Sequence, residues 1–513
     1  MRIDGEPETS VSEVVSEEKK KLRKSFRRFD IFFFLICALV GVDTVGSAAK
    51  NGAQGFTWLI FLAVFFFVPY GLIAAELGSA FTGEGGCYLW TQHAFGYLAA
   101  SITAFFYWIT VPIWVGGSLF ITALAASDAF FTPLQGLWRY VFGLAFVWLT
   151  VGSAIISIRL GKWIPALGAW ARFLVLSFFT VSVVLYALKN GLHGFTGHDF
   201  LPTYALFITI VPVLIFNYSG FELPSSAGDE MTDPQKDVPF AVALSAIGAI
   251  LLYGLPILAI LLVLPRENIT GLSGFIDALK AVFTVYGGHA GKDGVTLTGW
   301  GQVLGGASAI LFILSVFSSG TSWLMGSDRV LAVAGYSGTA PRILGRISRR
   351  FGTPVVVNLL SGIVATIVMI IAFQIAGSNN KKYFDAVLGL AISTTTISYL
   401  AVFPAAIRLR YTHPEVNRPY RIPGGQAGVW ICGVLATFWA ALATIGLIWP
   451  GVGVGWFHTG GDPDSSLPAH FSRWEYELTQ IGPLIPILLT AIAFYFIGRR
   501  DRAREASRGA ARG

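Results

Sequence analysis

Three ionisable residues stand inside apolar runs where charge is expensive: Asp43, Arg172 and Glu222. On insertion scales a charge at bilayer depth costs about 2.5 to 3.5 kcal/mol, and such residues mark ion or substrate paths by default. Two of them coincide with sequence that interrupts a helix. Gly41-Val42-Asp43-Thr44-Val45-Gly46-Ser47 and Phe216-Asn217-Tyr218-Ser219-Gly220-Phe221-Glu222-Leu223-Pro224 each break an apolar run with polar, glycine or proline residues. Peptide groups freed there need partners that lipid does not supply: protein, a water-lined cavity or a ligand. Half-helix N-termini suit a carboxylate, and unwound carbonyls with acidic side chains suit an ammonium. An amino acid carries both groups, a related amine the second. Gly41, Val42, Asp43, Thr44, Ser219 and Gly220 are therefore candidate substrate contacts.

Each charge also has a plainer reading. Asp43 either binds a substrate ammonium or caps the outer half-helix, since aspartate is a favoured N-cap. Glu222 either carries a proton or gate contact, or is a protonated carboxyl bonding the broken backbone. Arg172 either stands as a fixed cation or snorkels to the nearer membrane face.

The elements that must hold these residues are apolar stretches of about 20 residues, the length a membrane helix needs. About twelve are expected, over 30–49, 55–80, 97–126, 138–157, 163–188, 203–226, 239–264, 300–326, 355–376, 384–407, 428–449 and 482–498. The fold class expected is an all-α integral membrane protein with discontinuous first and sixth helices. Residues 1–29 would form an N-terminal tail, 30–498 the transporter domain and 499–513 a C-terminal tail. Within the domain, repeat one spans about 30–190, repeat two about 203–407, and a closing helix pair about 428–498. Breaks at matching places in two five-span halves, one inverted by the odd span count, point to an inverted-repeat secondary transporter with its site at mid-membrane.

Of 513 residues, 54% are hydrophobic and 13% charged, with mean hydropathy +0.65. Soluble domains hold about a quarter charged residues. The formal charge of +7 reflects topology: 26 Lys and Arg fall on the N-tail side and nine on the other. That asymmetry places both termini in the cytoplasm of a multi-pass cell-membrane protein and argues against nucleic acid as a partner. Cys37, Cys87 and Cys432 are too scattered for a disulfide framework or metal site. The seven histidines, His93 and His413 in loops on the N-tail side and His193, His198, His289, His458 and His470 outside, show no ligand spacing and are read as surface residues. No phosphate loop or catalytic triad is present, so no cofactor, metal or enzyme activity is expected. The outer loops Pro265–Gly299 and Pro450–Ile481 are expected to carry short surface helices, and Arg329–Arg350 an interfacial helix.

Four further motifs, in order at the expected spans, resemble the amino acid, polyamine and organocation transporter superfamily. They are Ala75-Glu76-Leu77-Gly78 with Gly85-Gly86-Cys87-Tyr88 and Phe95-Gly96; Gly220-Phe221-Glu222 with Asp229-Glu230, Asp233-Pro234 and Pro239; Gly352-Thr353-Pro354; and His413-Pro414-Glu415 with Arg418-Pro419-Tyr420 and Ile422-Pro423-Gly424-Gly425. The last resembles the glutamate/4-aminobutyrate antiporter branch. The resemblance implies two five-helix inverted repeats plus two helices. It implies transport of an amino acid or amine by proton symport or exchange, with a polyamine antiporter or a non-transporting sensor as alternatives. It places Tyr107, Phe216, Asn217 and Trp323 at pocket or gate positions, and Arg172 where relatives replace a sodium ion with a titrating lysine. An arginine there does not deprotonate. Glu76, Glu84, Asp229, Glu230, Asp233 and Asp328-Arg329 read as an ion-pair layer on the N-tail side. Partners expected are a small-molecule substrate and the lipid bilayer, with a homo-oligomer left open.

Overall fold

The structure, a computed structural model, describes residues 8–510 except 23, 161–162, 193, 195, 265–268, 270–271, 292–293, 377–379, 457–461 and 468–470. Among the residues read above, His193, His458 and His470 therefore lie outside the described residues. A short helix α1, Glu8–Lys19, precedes a first broken helix, α2 (Arg28–Leu39) and α3 (Val45–Ala49). Then follow α4 (Gly52–Ala80), α5 (Cys87–Phe95), α6 (Tyr97–Phe130), α7 (Leu137–Leu160) and α8 (Trp163–Asn190). The second broken helix is α9 (Tyr204–Asn217), continued by a 3-10 segment Leu223–Glu230. After it come α10 (Pro234–Val263), α11 (Gly274–Phe283), α12 (Trp300–Tyr336) and α13 (Val355–Ala376). The chain closes with α14 (Asn380–Thr412), α15 (Gly425–Ile448) and α16 (Arg473–Ala510).

Among the described residues ten helices are long and apolar enough to cross a membrane, and Tyr204–Asn217 and Val355–Ile371 are shorter apolar helices. The protein is a multi-pass membrane protein. Burial orders these helices around a centre: 94% of the most apolar window is buried in α6 and 89% in the first broken helix, against 11% in α16. Side chains such as Leu149, Ile247, Ile310 and Leu489 point outward, as a bundle solvated by hydrocarbon requires.

The centre is packed closely where α6 changes pitch. After Trp114 the helix makes a π turn, Val115–Leu119, a local widening that recurs at functional sites. A Cβ on Gly116 would stand 2.1 Å from the Ala365 carbonyl oxygen of α13. Glycine here lets two backbones touch and holds the Trp114 face of α6 against the two breaks.

Three expectations need correction. The fold is not purely helical, because Gly288–Gly291 and Gly294–Leu297 pair as an antiparallel hairpin in the first long outer loop. Glycines at its turn gave no alternating apolar signal. The helix of that loop, α11, is not a surface helix: Phe275, Ile276, Leu279, Val282 and Phe283 are buried, and it packs on α3, α8 and α10. Nor does Arg329–Arg350 begin an interfacial helix. Val330 to Ala334 are buried final turns of α12, which runs 37 residues without interruption.

The glycine contact yields a direct check. Gly116→Ala should lower the thermal midpoint of the detergent-solubilised protein, by the ~1 to 3 kcal/mol typical of overpacking. Gly152→Ala, whose Cβ would meet open space, should not. Equal behaviour of the two would refute the close approach.

Candidate functional site

The first break leaves the end of α2 without helical partners, and side chains from three other helices supply them. Arg172 of α8 donates from Nε to the Val40 carbonyl at 2.8 Å and from Nη2 to the Cys37 carbonyl at 3.4 Å. Its other donors reach the Ser315 carbonyl at 2.6 Å, the Ser318 hydroxyl at 2.8 Å and the Ser319 hydroxyl. Trp323 Nε1 donates to the Ala38 carbonyl at 3.1 Å. Arg172 is fully buried and reaches neither end of the bundle. A cation at a helix C-terminus is favoured by the dipole, and this one binds oxygens of α2 and α12 together.

Beyond Leu39 the chain turns through extended Gly41 into a 3-10 turn, Val42–Thr44. The Gly41 amide donates to the Tyr253 hydroxyl at 2.7 Å, and Thr44 Oγ1 donates to the Gly41 carbonyl at 2.8 Å. Asp43 is buried; its Oδ2 accepts from Trp114 Nε1 at 3.0 Å and Ser118 Oγ at 3.4 Å. Its Oδ1 has no hydrogen-bond partner among the described residues.

At the second break Gly220 adopts φ +129°, a conformation that side chains disfavour. A Cβ there would also meet Trp323 and Ala38 at 3.2 Å. The amides of Gly220 and Phe221 both donate to the Tyr70 hydroxyl at 2.9 Å. Glu222 Oε1 accepts from Tyr107 OH at 2.8 Å and Tyr399 OH at 2.9 Å, while its buried Oε2 has no partner. Tyr70 and Tyr399 hydroxyls are 3.2 Å apart, so α4, α6, α14 and the break are clasped around one carboxyl.

Between the breaks is a cavity of about 10 Å³, lined by Gly41, Thr44, Trp114, Phe216, Asn217 and Trp323, among others. That volume holds about one water. Asn217 is buried with both amide atoms unpartnered. The rings of Trp114 and Phe216 meet edge-on at 5.6 Å, and Trp323 lies 6.1 Å from Trp114 and 6.0 Å from Tyr107.

The structure thus brings together Gly41, Asp43, Thr44, Phe216, Asn217 and Trp323, with Tyr107, Gly220 and Glu222 just beneath the Trp323 indole. Val42 packs in the same hydrophobic core as Phe216 and Trp323, and Ser219 Oγ bonds the Ile215 carbonyl of its own helix. Arg172 stands behind the first break. Four residues were missed. Trp114 was findable, being seven residues and so nearly two full turns beyond Tyr107 on the same face. Tyr70, Tyr253 and Tyr399 carry no sequence signal, because each is one aromatic in an apolar run.

At the end of the bundle bearing the N-terminal segment, Arg329 bonds Glu230 at 2.7 Å and stands 3.5 Å from Glu84. Glu84 and Asp229 exchange backbone-to-carboxylate bonds at 3.2 Å, and Lys19 pairs with Asp229 at 2.8 Å. Glu76 is held by Arg410 at 2.5 Å and accepts from the Ile422 amide at 2.8 Å. Asp328 does not join this layer, contrary to the sequence reading. It points inward to Trp108, Ser361 and Asn358, stapling α6, α12 and α13. The rings of His93 and His413 meet edge-on at 5.4 Å.

Residues 26–458 match a family model described as amino acid permease. The chain is 27% identical to a probable agmatine/putrescine antiporter of Lactococcus lactis, over 93% of this chain and 94% of that one. It is 24% identical to a glutamate/gamma-aminobutyrate antiporter of the same species, over 79% and 80%. Identity to the b(0,+)-type amino acid transporter 1 of Oryctolagus cuniculus is also 24%, over 68% of each.

Burial and the neighbouring Glu230 charge hold the Glu84 carboxyl well above its ordinary value of 4.5, with Arg329 pulling the other way. The folded chain therefore binds this proton more tightly than the unfolded chain. The associated stability is complete below pH about 4.5 and is lost as pH rises through the raised value. Glu84→Gln should flatten the fall in thermal midpoint measured upward from about pH 5; a fall parallel to wild type would contradict the assignment.

Proposed function

We propose, because the chain belongs to the amino acid permease family, that it is a secondary transporter of an amino acid or related amine working by alternating access. One observation carries this reading: two interrupted helices face one small cavity, Asn217 lines it with both amide atoms unpartnered, and Asp43, in the turn between the lining residues Gly41 and Thr44, keeps one buried oxygen free. Each unpartnered buried group costs about 1 to 3 kcal/mol, and these stand where the two helices are interrupted.

In this proposal the chain makes twelve crossings, two inverted five-helix halves and a closing pair, with both termini cytoplasmic in the cell membrane. The domain bounds follow, with repeat one at about 30–190, repeat two at about 203–407 and helices 11 and 12 at about 428–498. Gly41, Asp43, Thr44, Phe216 and Asn217 form the pocket, Asp43 taking the cationic end of the substrate. Trp323 and the Tyr107–Glu222–Tyr399 clasp close it towards the N-terminal side, and the Arg329 and Glu76 ion pairs close the layer beyond. Exchange of one substrate for another is the preferred mode, supported by two relatives named as antiporters. Proton symport is the second reading, favoured by the single free oxygen of Glu222.

Arg172 is assigned as a permanent cation. Its partners are three carbonyls, two hydroxyls and the Cys37 sulfur, and a guanidinium keeps its proton at any physiological pH.

Two measurements on proteoliposomes test the reading. Labelled substrate should enter only when unlabelled substrate is inside, and Asp43→Asn should abolish that counterflow while the protein still elutes as a folded species. Binding without counterflow would identify a sensor instead. Replacing sodium by choline at constant pH should leave the rate unchanged, and sodium stimulation would overturn the assignment of Arg172.

A further inference from the structure

Two histidines far apart in the sequence meet at the surface of the bundle, away from both breaks. His93 lies in the last turn of α5, and His413 follows α14 directly, its amide still bonded to the Leu409 carbonyl at 3.1 Å. Their ring centroids are 5.4 Å apart, and the ring of Phe81, just past α4, lies 5.7 Å from His93 and 6.3 Å from His413. His93 is exposed and His413 half-buried, so solvent reaches the pair. No local spacing marks it, because it forms only when α5 packs against α14.

The hydrogen bonds assign the state of each ring. Thr412 Oγ1 has one hydrogen, which it donates to the Arg408 carbonyl at 3.1 Å. The same oxygen is 2.9 Å from His413 Nδ1, so Nδ1 carries the proton and donates. That leaves the lone pair of His413 on Nε2, with the ring held from behind as metal-binding imidazoles are. Among the described residues His93 makes no hydrogen bond through either nitrogen. Partial burial, with His413 beside it, holds its imidazole below the ordinary value of 6.5, so near neutral pH it is uncharged and able to bind a metal. The spacing agrees: two imidazoles on one tetrahedral ion, at metal–nitrogen distances of about 2.0 to 2.1 Å, have ring centroids about 5 Å apart.

We propose that His93 and His413 form a site for a divalent ion of the zinc, nickel or copper class, water completing its coordination, and that the bound ion clamps α5 to the end of α14. Imidazole donors favour these ions over magnesium and calcium, which take oxygen ligands. The neighbouring cations are already engaged: Arg408 lies over the Phe95 ring at 5.2 Å, and Arg410 and Arg418 pair with Glu76 of α4. An ion on the two histidines therefore adds a crosslink to a seam where α4, α5 and α14 already meet, and resists any motion that parts them. Its effect on exchange rests on the transport reading above; the site itself does not.

The test uses the full-length protein without a histidine tag. Zinc chloride should raise the thermal midpoint of the wild type, because an ion that binds only the folded chain stabilises it. His93→Ala and His413→Ala should each remove that rise, while His289→Ala, on the exposed outer hairpin, should keep it. Copper(II) in place of zinc should give an electron paramagnetic resonance spectrum with couplings to two imidazole nitrogens, reduced to one in either variant. Absence of any rise in the wild type, or a rise that survives in both variants, overturns the site; so does a copper spectrum without imidazole nitrogens, whether or not the variants fold. In liposomes, zinc should remove most of the wild-type exchange, a chelator should restore it, and the variants should be insensitive. Zinc bound at the pair with exchange unchanged refutes the clamp. No exchange with or without zinc refutes the transport reading and leaves the site to stand on the midpoint and the copper spectrum.

Discussion

A peptide group unwound in the middle of a bilayer has to find a partner, and the organisation of this protein follows from how that demand is met. Hydrocarbon offers nothing to an amide or a carbonyl, and each orphan costs several kcal/mol. At the first break Arg172, Ser319 and Trp323 take the carbonyls, while Tyr253 takes the amide of Gly41. At the second, one hydroxyl, that of Tyr70, accepts from two successive amides. These partners come from α4, α8, α10 and α12, so the breaks are stable only when those helices are in place around them. The site is in this sense a property of the whole bundle.

The same economy separates what is fixed from what is free. Asp328 has donors on both oxygens and ties three helices together, whereas Asn217 lines a cavity too small for more than about one water with both amide atoms unpartnered, and Asp43 and Glu222 each keep one buried oxygen free. The N-terminal end adds a second kind of closure. Lys19, Arg329, Arg410 and four carboxylates join the N-terminal segment to the chain beyond the second break and to the ends of α4, α12 and α14. Arg329, Glu84, Glu230 and Glu76 are nearly fully buried, and losing one partner of a buried pair is costly, so these contacts hold that end of the bundle together.

Much of this was legible in the residues. The helical class, the location of both breaks and the special status of Asp43, Arg172 and Glu222 come from glycine, proline and charge standing where hydrocarbon excludes them. The motifs around Glu76, Gly85 and Asp229 located the family that the chain belongs to. What was not legible is equally physical. Tyrosine hydroxyls that cap the breaks are indistinguishable in sequence from tyrosines packed on lipid, because only the three-dimensional register decides where a hydroxyl points. Asp328 and Arg329 are neighbours in sequence and bond in different layers, since adjacent residues on a helix face about 100° apart. The outer hairpin and the burial of α11 depend on contacts between distant segments, which no local periodicity encodes.

The central claim is that the substrate is gripped where the two helices come apart. An experimental density map of the protein in lipid nanodiscs, obtained with a saturating amino acid or amine that the protein exchanges, tests this most directly. The account requires ligand density within hydrogen-bond distance of residues from both breaks, Asp43 on one side and Asn217 or Glu222 on the other. Ligand density remote from both, or unbroken helix through residues 40–44 and 218–222, would contradict it.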